Sequence, residues 1–352
     1  MEYTPTNSLP IFIFLSLLMK MSKPVYTAVI PVFNRPDEVD ELLQSLTQQT
    51  FTSFEVIIIE DGSTIPCQSV VEKYSGLLSI KYFTKENTGP GLTRNFGAEK
   101  ATSDYIIFFD SDCIIPSHYF KTINSELSSN PVDAFGGPDR AHQSFTAVQK
   151  AINYSMTSFF TTGGIRGGKK KLDKFYPRSF NMGISRQVFE KTGGFSKMRF
   201  GEDVDLSLRI VELGFSTRLF PNAYVFHKRR TDFRKFFRQV YNSGIARINL
   251  HLLHKGSLKL VHTLPSLFVI AMILCVLLAI RFPLLLLLPA LYCLAVFTDS
   301  ILINRSIKVA FLSISAAWTQ LFGYGLGFLS AVWKRLILGR GDFKAFEKNF
   351  YK

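Results

Sequence analysis

From Tyr26 to Asp112 short apolar runs alternate with helix-forming segments, and this rhythm restricts the chain to a layered α/β fold. Tyr26–Val32 reads as a compact strand, Pro36–Leu46 as a helix with proline in its first turn followed by Asp37 and Glu38, and Phe54–Ile59 as a second strand. Cys67–Tyr74 is a weaker helix, Ile80–Phe83 a short strand, Gly91–Ala101 a helix and Tyr105–Phe109 the next strand. Such alternation predicts a mostly parallel sheet with helices on both faces. Ligands of these sheets bind beyond the carboxyl ends of the strands.

Polar residues gather at those ends. The first strand runs into Phe33-Asn34-Arg35, the second into Glu60-Asp61-Gly62-Ser63-Thr64, the third approaches Glu86-Asn87-Thr88-Gly89, and the fourth delivers Asp110-Ser111-Asp112. In an extended backbone residues i and i+2 point the same way, so Asp110 and Asp112 are expected to converge on one cation. Carboxylate oxygens suit a hard ion such as Mg²⁺ or Mn²⁺. Taken singly, each cluster is an ordinary turn, and Asn34 is equally suited to cap the helix at Pro36. Four polar ends facing one crevice, with carboxylates at two of them, point to a binding site.

After Asp112 the pattern is less regular. Ser179-Phe180-Asn181-Met182-Gly183-Ile184-Ser185 reads as a strand and turn, and Arg186–Lys191 as a short helix ended by Gly193-Gly194. Val204–Leu213 carries a helical stripe closed by Gly214, which sets Glu202 and Asp203 at a helix amino terminus, where capping alone favours acidic residues. Ser216–Phe226 is expected to be a strand leading to His227, a residue equally at home against a backbone group. Residues 161–174 hold two glycine pairs, Arg166 and Lys169-Lys170-Lys171, a solvated loop or a lid whose cations meet a diphosphate or an anionic lipid.

Composition bears on the second half. With 47% hydrophobic residues and a net charge of +14, the chain fits a cytosolic globule poorly, and the apolar excess lies in residues 260–333. His262–Ile280 and Phe282–Ile303 are read as membrane spans. Val309–Trp333 is a third, either spanning or re-entrant, with Gly323, Gly325 and Gly327 allowing close packing or a bend. Before them, Thr231–Leu253 interleaves Phe233, Phe237, Val240, Tyr241 and Ile248 with Arg234, Lys235, Arg238 and Arg247, the pattern of an amphipathic helix resting on anionic headgroups. That surface, rather than nucleic acid, accounts for the basic balance. Residues 334–352 form a basic tail. Residues 1–23 form an apolar extension without signal-peptide features, and Met21 is a candidate start. Cys67, Cys113, Cys275 and Cys293 show no disulfide or zinc spacing.

Taken in order, Val29-Ile30-Pro31-Val32-Phe33-Asn34, Glu60-Asp61-Gly62-Ser63-Thr64, the segment 87–95, Asp110-Ser111-Asp112, Asn181-Met182-Gly183-Ile184, Gly193-Gly194-Phe195, Gly201-Glu202-Asp203 and His227 resemble the family 2 inverting glycosyltransferases of GT-A fold, over roughly residues 24–250. The resemblance implies a GT-A-type nucleotide-binding domain at 24–230 with a mixed, mostly parallel sheet, an interfacial helix at 231–259 and an α-helical membrane region. It implies a nucleoside-diphosphate sugar, by family frequency a UDP-sugar, contacted by Pro31, Asn34, Asp61, Asn87, Arg94, Asp110 and Asn181. Asp61 would accept a hydrogen bond from the base. Asp110 and Asp112, with His227, would hold Mn²⁺ or Mg²⁺.

Inverting transfer needs a carboxylate to take the acceptor hydroxyl's proton, and Asp203, beside Glu202, is the expected base. The acceptor is expected to be a lipid-linked or cell-surface glycan, met at the cytoplasmic face of the inner membrane by a multi-pass protein. Processive synthesis is disfavoured, because Gln239 is followed by Val240-Tyr241-Asn242-Ser243 and not by the Gln-x-x-Arg-Trp pattern of those enzymes. A polyprenyl phosphate acceptor is already ionised and would leave the acidic pair without a task. A non-catalytic nucleotide-sugar-binding protein would leave both the metal and the base positions without one.

Overall fold

The computed structural model describes residues 23–163, 175–198 and 200–341. The extension before residue 23, the lysines of the 161–174 loop and most of the basic tail lie outside these residues. Strands β1 (Tyr26–Val32), β2 (Phe54–Asp61), β3 (Ile80–Lys85) and β4 (Tyr105–Phe109) lie parallel in the order β3-β2-β1-β4, joined through helices α1 (Pro36–Thr47), α2 (Gln68–Tyr74) and α3 (Pro90–Lys100). Beyond them come β5 (Cys113–Ile114), α4 (Tyr119–Ser129), β6 (Ala134–Gly136), β7 (Asp139–Arg140), α5 (Ala147–Thr157), α6 (Phe159–Thr162), β8 (Asn181–Ser185), α7 (Arg186–Thr192), α8 (Glu202–Glu212), β9 (Thr217–Leu219) and β10 (Val225–His227). The central sheet is completed as β3-β2-β1-β4-β8-β6-β9, in which β8 runs antiparallel to both neighbours. A second sheet, β5-β10-β7, stands beside it.

The central strands β1, β2 and β4 are predominantly apolar because both sheet faces are covered. Alternate residues go to opposite layers. Ala28, Ile30, Ile58 and Phe109 meet Val39 and Leu43 of α1 and Phe120 of α4. Val29, Ile57 and Phe108 meet Ala98 of α3 and Leu206 and Ile210 of α8. The chain reverses its direction of travel across the sheet between β1 and β4, which sets the crevice beyond their carboxyl ends, as such sheets require.

Two readings change in detail. The expected strand Ser216–Phe226 is two short strands in different sheets, β9 and β10, interrupted at Phe220-Pro221, where proline withholds a ladder donor. The fourth strand stops at Phe109, and the amide of Cys113 closes a turn on the carbonyl of Asp110. Asp110 and Asp112 therefore leave the backbone from a turn and not from an extended strand.

Helix α9 (Phe233–Leu253) begins at Asp232, whose carboxylate accepts from the Lys235 amide at 2.7 Å. Most of its apolar face is covered by protein, with Phe237 left exposed. Phe236, Val240, Ile245 and Ile248 pack on helix α12 (Ile307–Ala331), which follows α10 (Leu264–Ala279) and α11 (Leu287–Asn304). Glycines allow this contact: a Cβ at Gly327 would lie 2.0 Å from the Tyr241 carbonyl oxygen, and one at Gly323 would lie 2.4 Å from Val240. The 323–327 glycines thus serve close packing.

Among the described residues two helical stretches are long and apolar enough to cross a bilayer, Pro283–Asn304 with 22 residues and Ile307–Ile337 with 31. The segment expected to span first is shorter. Leu260–His262 forms a separate 3₁₀ turn and α10 covers 16 residues, about 24 Å against a ~30 Å hydrocarbon core. Leu267, Ile273 and Leu277 of α10 and Leu287, Leu291 and Leu294 of α11 are exposed.

Candidate active site

The second sheet builds the centre of the crevice. Strand β10 pairs antiparallel with β5 in a register that puts His227 opposite Cys113, next to Asp112. His227 Nε2 lies 3.0 Å from Asp112 Oδ1 and 3.8 Å from Asp110 Oδ2, and its ring stacks on Phe180 at 4.9 Å. Asp112 Oδ1 is buried yet makes no aligned hydrogen bond, and neither does His227 Nδ1. Ligands around Mg²⁺ at ~2.1 Å stand about 3 Å apart, so an unsatisfied carboxylate oxygen at that distance from an imidazole nitrogen fits a divalent cation. Cys113 shares the cluster, but burial pushes its thiol well up, with Asp112 and Asp110 adding to the effect. A neutral thiol is a poor ligand for a hard ion. The residues that fit are Asp110, Asp112 and His227.

Asp112 is held ionised. Burial acts against its charge, but His227, then Arg35 and Arg230, hold the carboxyl far below the ordinary carboxylate range. Arg35 Nη1 reaches Asp112 Oδ2 at 3.1 Å and Glu38 at 2.8 Å. His227 responds in kind: burial lowers its basicity, Asp112 outweighs that, and the net shift is upward.

Asp110 is engaged from the other face of the sheet. Arg94 of α3, almost fully buried, donates to Asp110 at 2.5 Å and to Glu202 at 3.3 Å, with its guanidinium over the Phe195 ring. Glu202 and Asp203 open α8 after Gly201, which takes a positive φ of 86°. Their surroundings separate them. Burial and the Asp203 charge raise Glu202 to about 7 against the pull of Arg94. Asp203 is also opposed by burial, yet Arg178, bonded to it at 2.6 Å, and Arg94 bring its carboxyl below the ordinary range. Two adjacent carboxylates thus have proton affinities pushed apart, a pattern found in acid–base pairs.

The remaining expected residues mostly build the walls. Asp61 is buried, with Oδ1 accepting from Lys85 Nζ at 2.6 Å and the Thr88 amide at 2.9 Å and Oδ2 from the Gly89 amide at 2.8 Å. Its carboxylate ties down the 85–89 loop, and Asn87 donates to its carbonyl at 2.8 Å. Gly62 has φ +74°, and a Cβ there would meet the Asn87 amide nitrogen at 2.8 Å, so glycine is required for the two loops to touch. Asn34 does not cap α1, whose N-cap is Arg35. At φ 54° it turns across instead and accepts from the Thr64 and Ile65 amides at 2.7 and 2.9 Å. Pro31 is half-buried near the end of β1, in register with Ile59. Asn181 is not brought to the crevice: the side chain is buried, accepting from the Tyr119 hydroxyl and donating to the Ala223 carbonyl. Its two polar ends are spent on holding β8 to its surroundings.

On the α1 side Asp112 forms one wall of a cavity of about 510 Å³. Arg35, Lys228, Arg229, Arg230 and Lys235 line it against Glu38, Glu41 and Asp112, so cations are in excess.

Residues 27–193 match the model of glycosyl transferase family 2. An uncharacterized glycosyltransferase of Rickettsia bellii is 40% identical over 86 residues, 24% of this chain and 12% of that protein. Glycosyltransferase AglE of Haloferax volcanii is 23% identical over 252 residues, 70% of this chain and 80% of that one. Residues 27–193 therefore carry a glycosyl transferase family 2 domain. Its fold is the GT-A type: the mannosyltransferase PcManGT from Pyrobaculum calidifontis, solved in complex with GDP-Man and Mn²⁺, superposes with a TM-score of 0.61 at 14% identity, over 88% of this chain and 93% of that one. The chain spans between 12% and 22% of the length of the Rickettsia relatives it matches.

Within this family 2 framework several cations at the site escaped the sequence reading. Arg35 was visible as the residue after Asn34, but its partner Asp112 is 77 positions away. Arg178 stands in an irregular stretch with nothing to link it to Asp203. Lys228-Arg229-Arg230 follows His227 directly, and a run of three cations after a metal-ligand candidate was the signal that could have found the cavity.

Proposed function

We propose that this chain is a membrane-bound, metal-dependent, inverting glycosyltransferase that moves a sugar from a nucleoside-diphosphate sugar, UDP-sugar first among donors, to a hydroxyl of a lipid-linked or cell-surface glycan. The observation that carries the reading is the division of the crevice at Asp110 and Asp112, with the acidic pair reached from the α3 and α8 side and the cation-lined cavity on the α1 side. Inversion requires acceptor and leaving group on opposite sides of the anomeric carbon. A carboxylate on one side and cations on the other suit that requirement.

In this reading Asp203, kept ionised by Arg178, takes the proton of the acceptor hydroxyl. Arg35, Lys228 and Arg230 neutralise charge left on the diphosphate. Asp110, Asp112 and His227 would hold Mn²⁺ or Mg²⁺, which supplies Lewis-acid neutralisation of the same group when bound. Asn34, Asp61 and Asn87 shape the nucleotide wall with Pro31 and Arg94. The GDP-Man and Mn²⁺ complex of PcManGT supports a nucleotide-sugar donor and a divalent ion. Residues 24–230 act as the catalytic unit at the cytoplasmic face, with the helices of 260–333 in the membrane.

Asp203→Asn tests the base directly. The reading expects nucleotide binding within about twofold of wild type and transfer reduced by at least ~10²-fold. Full transfer, with a sugar–phosphate–lipid product, would select a polyprenyl phosphate acceptor, which needs no base.

A further inference from the structure

Helix α11 carries one charged side chain, Asp299, in an otherwise uncharged, largely apolar sequence. A charge in such a helix is costly unless paired, and the ones that persist mark function. Asp299 turns toward the catalytic unit. Its Oδ2 accepts from the Tyr154 hydroxyl at 2.6 Å and from Ser158 Oγ at 3.3 Å. Both donors are buried, and Tyr154 packs in a cluster with Val296 and Ala317. Asp299 itself is half-buried, and charge-assisted bonds to two buried hydroxyls are strong ones, so this contact fixes α5 against the apolar helices.

Helix α5 in turn holds one edge of the cation-lined cavity. Asn153, the neighbour of Tyr154, accepts from Arg229 Nε at 3.1 Å and Nη2 at 3.0 Å. One turn earlier, Gln149 donates to the Arg229 carbonyl oxygen at 3.0 Å. Arg229 is therefore gripped at both its guanidinium and its backbone. On either side of it Lys228 and Arg230 line the cavity, and the Lys228 amide donates to the Asp112 carbonyl at 3.0 Å. Direct contacts run from Asp299 to Asp112.

We infer that Asp299 is a positioning residue for this cavity: through Tyr154 it sets α5, and α5 sets the Lys228-Arg229-Arg230 segment where a diphosphate would bind. The inference rests on the reading of the cavity given above. It makes the apolar helices part of the donor site and not only an anchor.

The test uses the full chain in lipid nanodiscs with Tyr154→Phe, Asp299→Ala and Asp299→Asn. Amide hydrogen exchange over residues 228–232 is measured without ligand. Faster exchange is expected in Tyr154→Phe and Asp299→Ala, and wild-type exchange in Asp299→Asn, whose amide oxygen still accepts the tyrosine hydroxyl. Binding of UDP with Mn²⁺ is then compared with binding of uridine, which has no phosphate. The first two variants are expected to lose UDP affinity about tenfold, the scale of one charge-assisted hydrogen bond, with uridine unchanged. Unaltered exchange in Tyr154→Phe overturns the inference whatever the nucleotide does. Equal losses for uridine and UDP overturn it as well, because they indicate general loosening. A wild type that binds no nucleoside diphosphate counts against the cavity reading, and the exchange data still decide the latch.

Discussion

Glu202 and Asp203 are neighbours in sequence with opposite protonation behaviour, and the difference comes from which arginine each one meets. Arg178 bonds Asp203 at 2.6 Å, whereas Arg94 spends its close contact on Asp110 and reaches Glu202 only at 3.3 Å. The ordinary Glu value is 4.5 and the folded value about 7, so the folded state holds this proton more tightly than the unfolded chain. Stability therefore falls as pH rises through that window, and Glu202→Gln should flatten the decline in Tm between pH 5 and 7.5. Asp203 and Asp112 are depressed below their ordinary 3.8 and act in the opposite sense, costing stability only as pH falls below about 4. An unchanged Tm profile in Glu202→Gln would contradict the assignment. The carboxylates and His227 were legible from position alone, as polar residues at strand ends and at a helix start. The ion pairs they form were not, because Arg94, though expected at the site, Arg178 and Arg35 come from distant points and nothing local in the sequence declares a long-range ion pair. The intramolecular bonds of Asn181 were hidden for the same reason: a buried amide and a ligand-facing amide have the same letter.

At the scale of elements, regular pattern was the reliable guide. The first four strands and their connecting helices stand where alternation puts them, since strands covered on both faces are predominantly apolar. Short elements were harder: β9 and β10 were read as one strand, while Pro221 and the second sheet separate them. Helix α9 shows the limit of amphipathicity, which identifies an apolar face without saying whether lipid or protein covers it. Gly327 supplies the answer through its 2.0 Å approach to Tyr241. Gly327→Leu should force α9 and α12 apart at a cost of at least about 1–3 kcal/mol, read as a lowered Tm in detergent. Gly76→Leu, at a site with nothing within 4 Å of an added Cβ, should leave Tm near the wild-type value. Equal effects of the two would argue against a close helix contact.

For the whole molecule, hydropathy located the apolar region 260–333 but not the ends of its helices. Turns at Arg281-Phe282-Pro283 and Arg305-Ser306 set those ends, leaving α10 short and Ile307–Ile337 long. The account has the exposed side chains of α10 and α11 in lipid, so the protein should stay with the membrane fraction after alkaline carbonate washing and leave it only with detergent. Release by carbonate would contradict that placement. Asp299 then ties the apolar helices to the cavity beside Asp112. The central claim is metal-dependent glycosyl transfer at that aspartate. The most direct measurement is nucleoside diphosphate release from a panel of nucleotide sugars by the purified full chain with Mn²⁺, Mg²⁺ or EDTA, wild type against Asp112→Ala. The account predicts release from at least one donor that requires the metal and falls at least ~10²-fold in the variant. Release that persists in Asp112→Ala, or in EDTA, would contradict it.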